Sequence, residues 1–323
     1  MKMPAVQELS RQLGASSQTL GVVLEELERR NVLYRVPGVG TFTAKRQNVH
    51  IHLLHDPQLT QNSACPQPFW TMLFEFAQQR AITHNERFSL HTLPAPKQES
   101  SRMAEVLGVS GTRQSVSGVL GLGLGETDCQ WLEAQSIPYV AFGSVGVPDV
   151  RMVALELYEH VRDALDVLHS RGCERIACWT ERPPEAWFLE GLLKHGVDLN
   201  HYESLQKTPP RGVSPQEWGF EIAMARFRRP RAEWPDGLWV ETDHMAHGVL
   251  TALTRLNIEV GNEVQVAVPT NAGSRVLWSY ENRLIRLEID PKEIIEEMYA
   301  SLELQIQGQA PTHLRLLRRA LRL

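Results

Sequence analysis

The feature that most constrains this chain is an alternation. From about residue 48 to the C-terminal end, short apolar β-prone runs take turns with helical stretches. The runs are VHIHLL, FSLHTL, VSGVLGLGL, IPYVAFG, RIACW, GLWVE and VQVAVP, rich in β-branched and aromatic residues. Between them, FWTMLFEFAQQRAI, VRDALDVLHSRG, WFLEGLLKHG and DHMAHGVLTALTRLN repeat apolar residues at helical spacing. Strand and helix in alternation imply right-handed βαβ units on mainly parallel sheets, so the fold class is α/β. The length leaves room for one doubly wound sheet or two smaller ones.

Composition narrows the class of protein. A chain of 323 residues with 42% hydrophobic residues can build two or three domains with a sizeable core. The opening MKMPAVQELSRQ has no apolar h-region, and no window reaches the roughly 18 apolar residues that span a bilayer. A cytoplasmic protein without a membrane partner is expected. Cys65, Cys129, Cys173 and Cys178 form no CxxC, which argues against a zinc knuckle or a disulfide framework and for reduced, mostly buried thiols. The net charge of −5 is uneven: residues 1–47 carry seven Lys or Arg against four Glu, a small basic head on an acidic body.

Within the head, Val6, Leu9 and Leu13 recur at helical spacing and Gly14 is a natural stop. A second helix starts near Ser16 or Ser17 as N-cap and carries Leu20, Val23, Leu24 and Leu27 as its apolar stripe. Helix, short turn, helix is a helix-turn-helix. Two β-prone runs, LYRVP and TFTA, follow and are joined by Gly38-Val39-Gly40. A glycine pair that cradles phosphate sits between a strand and a helix. This one joins two strands, so it reads as the wing of a winged helix.

Residues 4–44 resemble the GntR-type winged-helix DNA-binding domain, most specifically in LEELERRNVLYR and GxGTF. The resemblance implies a second helix in the major groove, its first turn on base edges and the wing on the backbone. Double-stranded operator DNA is then the partner, through Ser16, Ser17, Gln18, Thr19, Arg35, Gly38, Gly40 and Thr41. Three departures stand out. Ser17, Gly21 and Val22 occupy positions where the family places arginines, Val39 replaces a basic wing tip, and the helix that precedes the helix-turn-helix in the family is missing. Two explanations stay open for the last: a natural start upstream of Met1, or a reduced head. Fewer cations predict weaker DNA binding, because phosphate neutralisation supplies most non-specific affinity.

KRQN, residues 45–48, is a polar connector, which sets the division at 1–46 and 47–323. In the order of VSGVLGLGL, IPYVAFG, HVRDALDVLHSRGCERIACW, GLWVETDHMAHGVLTAL, VQVAVPTN and LIRLEIDPKEIIEEM, the body resembles the LacI/GalR-type effector domain. That resemblance implies a two-lobed, periplasmic-binding-protein-like body with parallel sheets, which dimerises and holds a ligand outside the carboxyl ends of the strands. The expected lobes are 48–150 plus 268–288, and 151–267 plus 289–310.

Residues just after strands are the candidates for ligand contact: His55, Asp56, Thr242, Asp243, Thr270 and Asn271, with Phe69 and Trp70 opening a helix. Together they offer hydroxyl-binding groups and a flat aromatic, as a sugar-like effector requires. The family pattern is only partly met. Gly143 stands where an acidic residue is expected, Pro184 for an arginine, Thr242 for asparagine and Thr270 for aspartate, while the matching Asp243 reads as a helix N-cap. An effector unlike the common hexoses, or a weakly binding cleft, is expected.

Other features read as structural. Gly121, Gly123 and Gly125 are spaced GxGxG rather than GxGxxG, so they end a strand rather than bind a dinucleotide. His50, His52 and His55 lack acidic or Cys partners at metal-ligand spacing. No GxSxG or similar nucleophile motif occurs, and the reading calls for no enzyme activity, cofactor or metal. The tail LRRALRL packs on the body with a solvated basic face, and most of the tryptophans Trp179, Trp187, Trp218, Trp234 and Trp239 serve as core or subunit contacts. The expectation is a homodimeric, effector-controlled repressor; the alternative is a small-molecule-binding or interaction module with a decayed DNA-binding head.

Overall fold

The structure is a computed structural model whose description covers residues 3–29, 33–36, 40–43, 49–57, 68–95, 102–107, 116–143, 151–181, 183–204, 208–309 and 314–323. At the N-terminal end lie helices α1 (Val6–Leu13) and α2 (Ser17–Arg29) and the antiparallel strands β1 (Leu33–Val36) and β2 (Gly40–Thr43). Gly14 closes α1 in the left-handed region at φ 63°. Ser16 opens α2: its Oγ accepts the Thr19 N–H at 3.1 Å and meets the Thr19 hydroxyl at 2.8 Å. Leu20, Leu24 and Leu33 are buried together, whereas α1 buries no residue and Leu13 stays 65% exposed. The Met3 N–H donates to the Thr41 carbonyl at 2.8 Å, which adds the chain to the free edge of the hairpin.

The body has two sheets. The first comprises β3 (His50–His55), β4 (Arg87–Thr92), β5 (Gly118–Leu122), β6 (Tyr139–Gly143), β7 (Met152–Leu155) and β13 (Leu314–Leu317), in spatial order β13-β7-β6-β5-β3-β4, all parallel. The second comprises β8 (Ile176–Trp179), β9 (Glu203–Ser204), β10 (Gly237–Val240), β11 (Gln265–Asn271), β12 (Ile285–Ile289) and β14 (Ala320–Arg322), in order β14-β12-β11-β10-β8-β9, with only β14 antiparallel.

Each sheet is covered on both faces, and the two-residue period of the strands sorts side chains between them. In the first sheet, Ile51 and Leu53 face Leu73 and Ala77 of α3 (Pro68–Thr83) and Ile294, Met298 and Leu302 of α10 (Pro291–Ile306). Leu54 of the same strand packs with Met103 and Leu107 of α4 (Arg102–Leu107) and Cys129 and Leu132 of α5 (Glu126–Ala134). In the second sheet, α6 (Glu159–Ser170) and α7 (Ala186–Lys194) cover one face, and α8 (Pro215–Phe227) and α9 (Asp243–Arg255) the other. The contact of α8 with α9 is closer than side chains allow: a Cβ at Gly248 would lie 1.8 Å from the Gln216 carbonyl oxygen.

These pairings move the lobe boundaries expected from sequence. The segment 268–288 belongs to the second sheet, because β11 follows α9 from β10 as one βαβ unit and therefore lies beside β10. Conversely, β7 stays in the first sheet beside β6, and α10 returns from β12 to the first-sheet core. The chain thus crosses between lobes three times, after Leu155, Ile289 and Leu317.

The tail LRRALRL packs on the body as expected: it supplies the end of β13 and all of β14, one to each sheet, with Arg318 and Arg322 solvated. Trp179, Trp218 and Trp239 are core, while Trp187 is exposed. Gly121 ends a strand as expected: a Cβ there would strike Leu124 at 2.2 Å, and the turn at Gly123 has φ 74°. Cys129, Cys173 and Cys178 are free and buried, and burial pushes all three thiols up; Cys65 lies outside the described residues.

Candidate functional site: a cavity between the lobes

The carboxyl ends of β10 and β11 face the start of α3 across the crossovers. A cavity of about 140 Å³ lies there, lined from the first lobe by Pro68, Phe69 and Leu155, and from the second by Glu241–His244, Pro269 and Asn271; Arg319 comes from the third crossover. The volume is below the roughly 300 Å³ of a drug-sized pocket, which fits a small ligand.

The β10 end is held by a polar lattice. Thr242 Oγ1 accepts the Met245 N–H at 3.3 Å and donates to Glu181 at 2.7 Å, and the Glu181 N–H donates to Glu241 at 2.6 Å. Thr242 is therefore the N-cap of α9. Asp243, expected in that role, is instead the first helical residue, where its carboxylate suits the positive helix end. Its Oδ1 accepts from His244 Nδ1 at 3.0 Å, and this bond raises the His244 pKa despite burial.

Arg319 is the feature that sequence reasoning missed. It was one of several arginines in a tail expected to be solvated, and nothing local distinguishes it. Its Nη1 donates to the carbonyls of Thr270 and Leu287 at 3.3 and 3.5 Å, and its Nε is buried without an acceptor. Burial lowers its pKa to about 10, so it stays charged at neutral pH.

Of the eight expected effector residues, Phe69, Thr242, Asp243 and Asn271 line this cavity. Thr270 borders a neighbouring space of about 30 Å³, room for a water, with its hydroxyl buried and unpartnered. His55, Asp56 and Trp70 line neither. His55 bonds the Thr92 hydroxyl at 3.0 Å and packs on Phe74. Asp56 is drawn away by Arg102, which bonds it at 2.7 Å and Asp128 at 2.6 Å in a buried cluster that joins β3, α4 and α5. Trp70 packs beside Phe69 and Phe142. On the other face of β3, His50 bonds Ser89 and His52 bonds His91, and burial lowers the His52 pKa to about 3. Among the described residues, no three His, Cys, Asp or Glu side chains converge as metal ligands.

In the head, Ser16, Ser17, Gln18 and Thr19 are exposed on the first turn of α2. Gly40 opens β2 and Thr41 pairs with Arg35 across the hairpin. The guanidinium of Arg35 meets Glu28 of α2 at 3.3 Å, which offsets its charge. Gly38 lies outside the described residues.

Residues 165–320 match the family of periplasmic-binding-protein-like domains. A comparison with curated protein sequences gives no match. Several solved structures are similar in fold. The Lac repressor bound to ONPG in its repressed state aligns with a TM-score of 0.65 and 16% identity, covering 100% of this chain and 99% of that one. A LacI-family regulatory protein from Chloroflexus aggregans gives 0.64 and 16%, over 84% and 96%. A LacI-family transcriptional regulator from Arthrobacter sp. FB24 in complex with lactose gives 0.63 and 17%, over 85% and 98%. At these identities the likeness establishes the fold: a two-lobed, periplasmic-binding-protein-like body of parallel sheets.

Proposed function

We propose that this chain is a DNA-binding transcription regulator, a repressor, whose affinity for operator DNA is set by a small carbohydrate-like molecule held between the lobes. One observation carries the reading: a single chain joins a helix-turn-helix and hairpin, with the first turn of α2 exposed, to a two-lobed body whose polar cavity is bordered by both lobes and by the first and third crossovers. The printed descriptions of its structural neighbours support it, among them a Lac repressor dimer bound to operator and an anti-inducer.

In this account the ligand favours one arrangement of the lobes, which changes the spacing of the two heads in a homodimer and so changes DNA affinity. Only differential binding to the two arrangements can do this. Gln18 is the best placed base reader, since its amide suits adenine, while Ser16, Ser17, Thr19, Gly38, Gly40 and Thr41 supply backbone and phosphate contacts. The Arg35–Glu28 pair and the absence of a cation on the first turn of α2 favour a second reading, an interaction or ligand-binding module whose head no longer binds DNA.

Fluorescence anisotropy with duplexes tiled from the DNA flanking the gene separates the two. The regulator reading predicts sequence-selective binding that Gln18→Ala weakens at some sequences and not others, with log affinity falling by about 0.9 per phosphate contact for each decade of salt. Binding equal across all duplexes, and unaltered in Gln18→Ala, favours the second reading.

A further inference from the structure

The arginines of the C-terminal stretch are treated differently by the fold. Arg315 pairs with Glu297 at 3.3 Å, Arg318 with Glu159 at 2.7 Å and Arg322 with Glu288 at 3.3 Å. Among the described residues, Arg319 alone of these four has no carboxylate within ion-pair distance. Nη1 bonds two carbonyl oxygens at long range, while Nε is buried without an acceptor. A guanidinium is not discharged at neutral pH, and holding one partly out of water, with the charge of Asp243 acting on it but not bonded to it, is costly. The side chain borders the cavity between the lobes.

We propose that Arg319 is the anion anchor of this cavity and that the ligand is a polyhydroxylated carboxylate or phosphate, of the kind found in sugar acids and sugar phosphates. This rests on reading the cavity as the effector site. The unpartnered Nε and the adjacent Nη2 form one edge of the guanidinium, and that edge matches two oxygens of a carboxylate or phosphate. Two carboxylates that line the same cavity constrain the rest of the ligand. Glu241 and Asp243 repel an anion placed beside them, so the charged group belongs at the Arg319 end and hydrogen-bond donors at the other. Hydroxyls meet that need: carboxylates accept from them, and the Asn271 amide both accepts and donates. A neutral sugar would bring no charge to the free edge of Arg319, and a small anion without hydroxyls would offer no donor to the carboxylates of Glu241 and Asp243.

The test is thermal unfolding of the full chain at constant ionic strength with inorganic phosphate, gluconate, glucuronate, glucose 6-phosphate, glucose and galactose. Wild type is compared with Arg319→Gln, Arg319→Met, Arg319→Lys and Asn271→Ala. The expected result is a saturable rise in Tm with at least one anionic compound, absent with its neutral counterpart, and weakened tenfold or more in Arg319→Gln and Arg319→Met. Arg319→Lys keeps the charge but not the two-pronged edge, and is expected to bind with intermediate strength; it also reads the site if the neutral variants fail to fold. An equal response to every anion in wild type and in the Arg319 variants overturns the proposal, as does silence of the wild type to all of them. Binding of a neutral sugar that is unaltered in Arg319→Gln and lost in Asn271→Ala overturns it while leaving the effector site standing. Absence of any binding sensitive to either residue overturns both.

Discussion

The backbone N–H of Glu156 donates to the carbonyl oxygen of Leu317 at 2.8 Å, which fastens the first crossover between the lobes to the third. The Glu156 carboxylate turns to the start of α6, accepting from the N–H groups of Tyr158 at 3.0 Å and Glu159 at 2.6 Å. One residue thus holds the hinge and opens the helix beyond it.

Removing that carboxylate frees two N–H groups. Glu156→Ala is expected to lower stability by about 1–2 kcal/mol, as loss of an N-terminal cap does. Urea melts give the stability loss, and faster amide exchange at residues 156–160 would locate the effect in the hinge.

The Arg102 cluster makes a sharper prediction. Arg102→Met leaves Asp56 and Asp128 buried without their cation and is expected to cost about 3–5 kcal/mol. Asp56→Asn should lower stability while leaving ligand affinity unchanged, since Asp56 lines no part of the cavity. Calorimetric titration with whichever compound binds checks the second half; a large loss of affinity at full folding would return Asp56 to the site.

Acid should destabilise the body through His160. Burial, and then the charge of Arg319, hold its pKa near 3, while its Nδ1–H donates to the Glu156 carbonyl at 3.1 Å. The folded pKa lies below the unfolded value of about 6.5, so this stability is present above that value and is lost as pH falls from about 6.5 towards 3. His244 acts in the opposite sense: its pKa is raised, so its contribution is present below about 6.5 and lost as pH rises through the folded value. Urea melts between pH 4 and 7.5 should steepen on the acid side, and His160→Gln should flatten that limb by up to about 1.4 kcal/mol per pH unit.

The junction of α8 and α9 predicts a severe glycine substitution. Gly248→Ala places a methyl against the Gln216 carbonyl, and a Cβ at Gly219 would lie 2.2 Å from the Met245 carbonyl oxygen, so the helices must part. A loss of about 3 kcal/mol or more is expected, read from the shift in denaturation midpoint.

Much of the fold was legible because parallel strands covered on both faces leave long apolar runs, as VSGVLGLGL and VQVAVP do. Short or edge elements were not. MVAL of β7, the two residues of β9 and the short, arginine-interrupted LRLL and ALR of β13 and β14 lack the run length that marks a strand, and α5 and α8 lack a clean apolar stripe. The lobe exchange escaped notice because no local pattern reports which sheet a strand joins; pairing of β11 beside β10 decides it.

The site was half legible for a similar reason. Residues that follow strands are placed at the cleft by topology, which located Thr242, Asp243 and Asn271. Whether such a residue faces the ligand depends on its neighbours. Asp56 follows β3 as Asp243 follows β10, yet Arg102, 46 positions later, takes it into a buried cluster. Arg319 came from the opposite end of the chain, and its solitude shows only once the partners of Arg315, Arg318 and Arg322 are known.

The central claim is that the cavity and the head are coupled. The most direct measurement is the Kd of the full chain for its preferred duplex, by anisotropy, with and without a saturating amount of the compound that raises Tm most. The account predicts a change of about 5-fold to 150-fold, with ligand affinity altered by the same factor when DNA is bound. An identical Kd in the two conditions, with both partners bound at once, would contradict it.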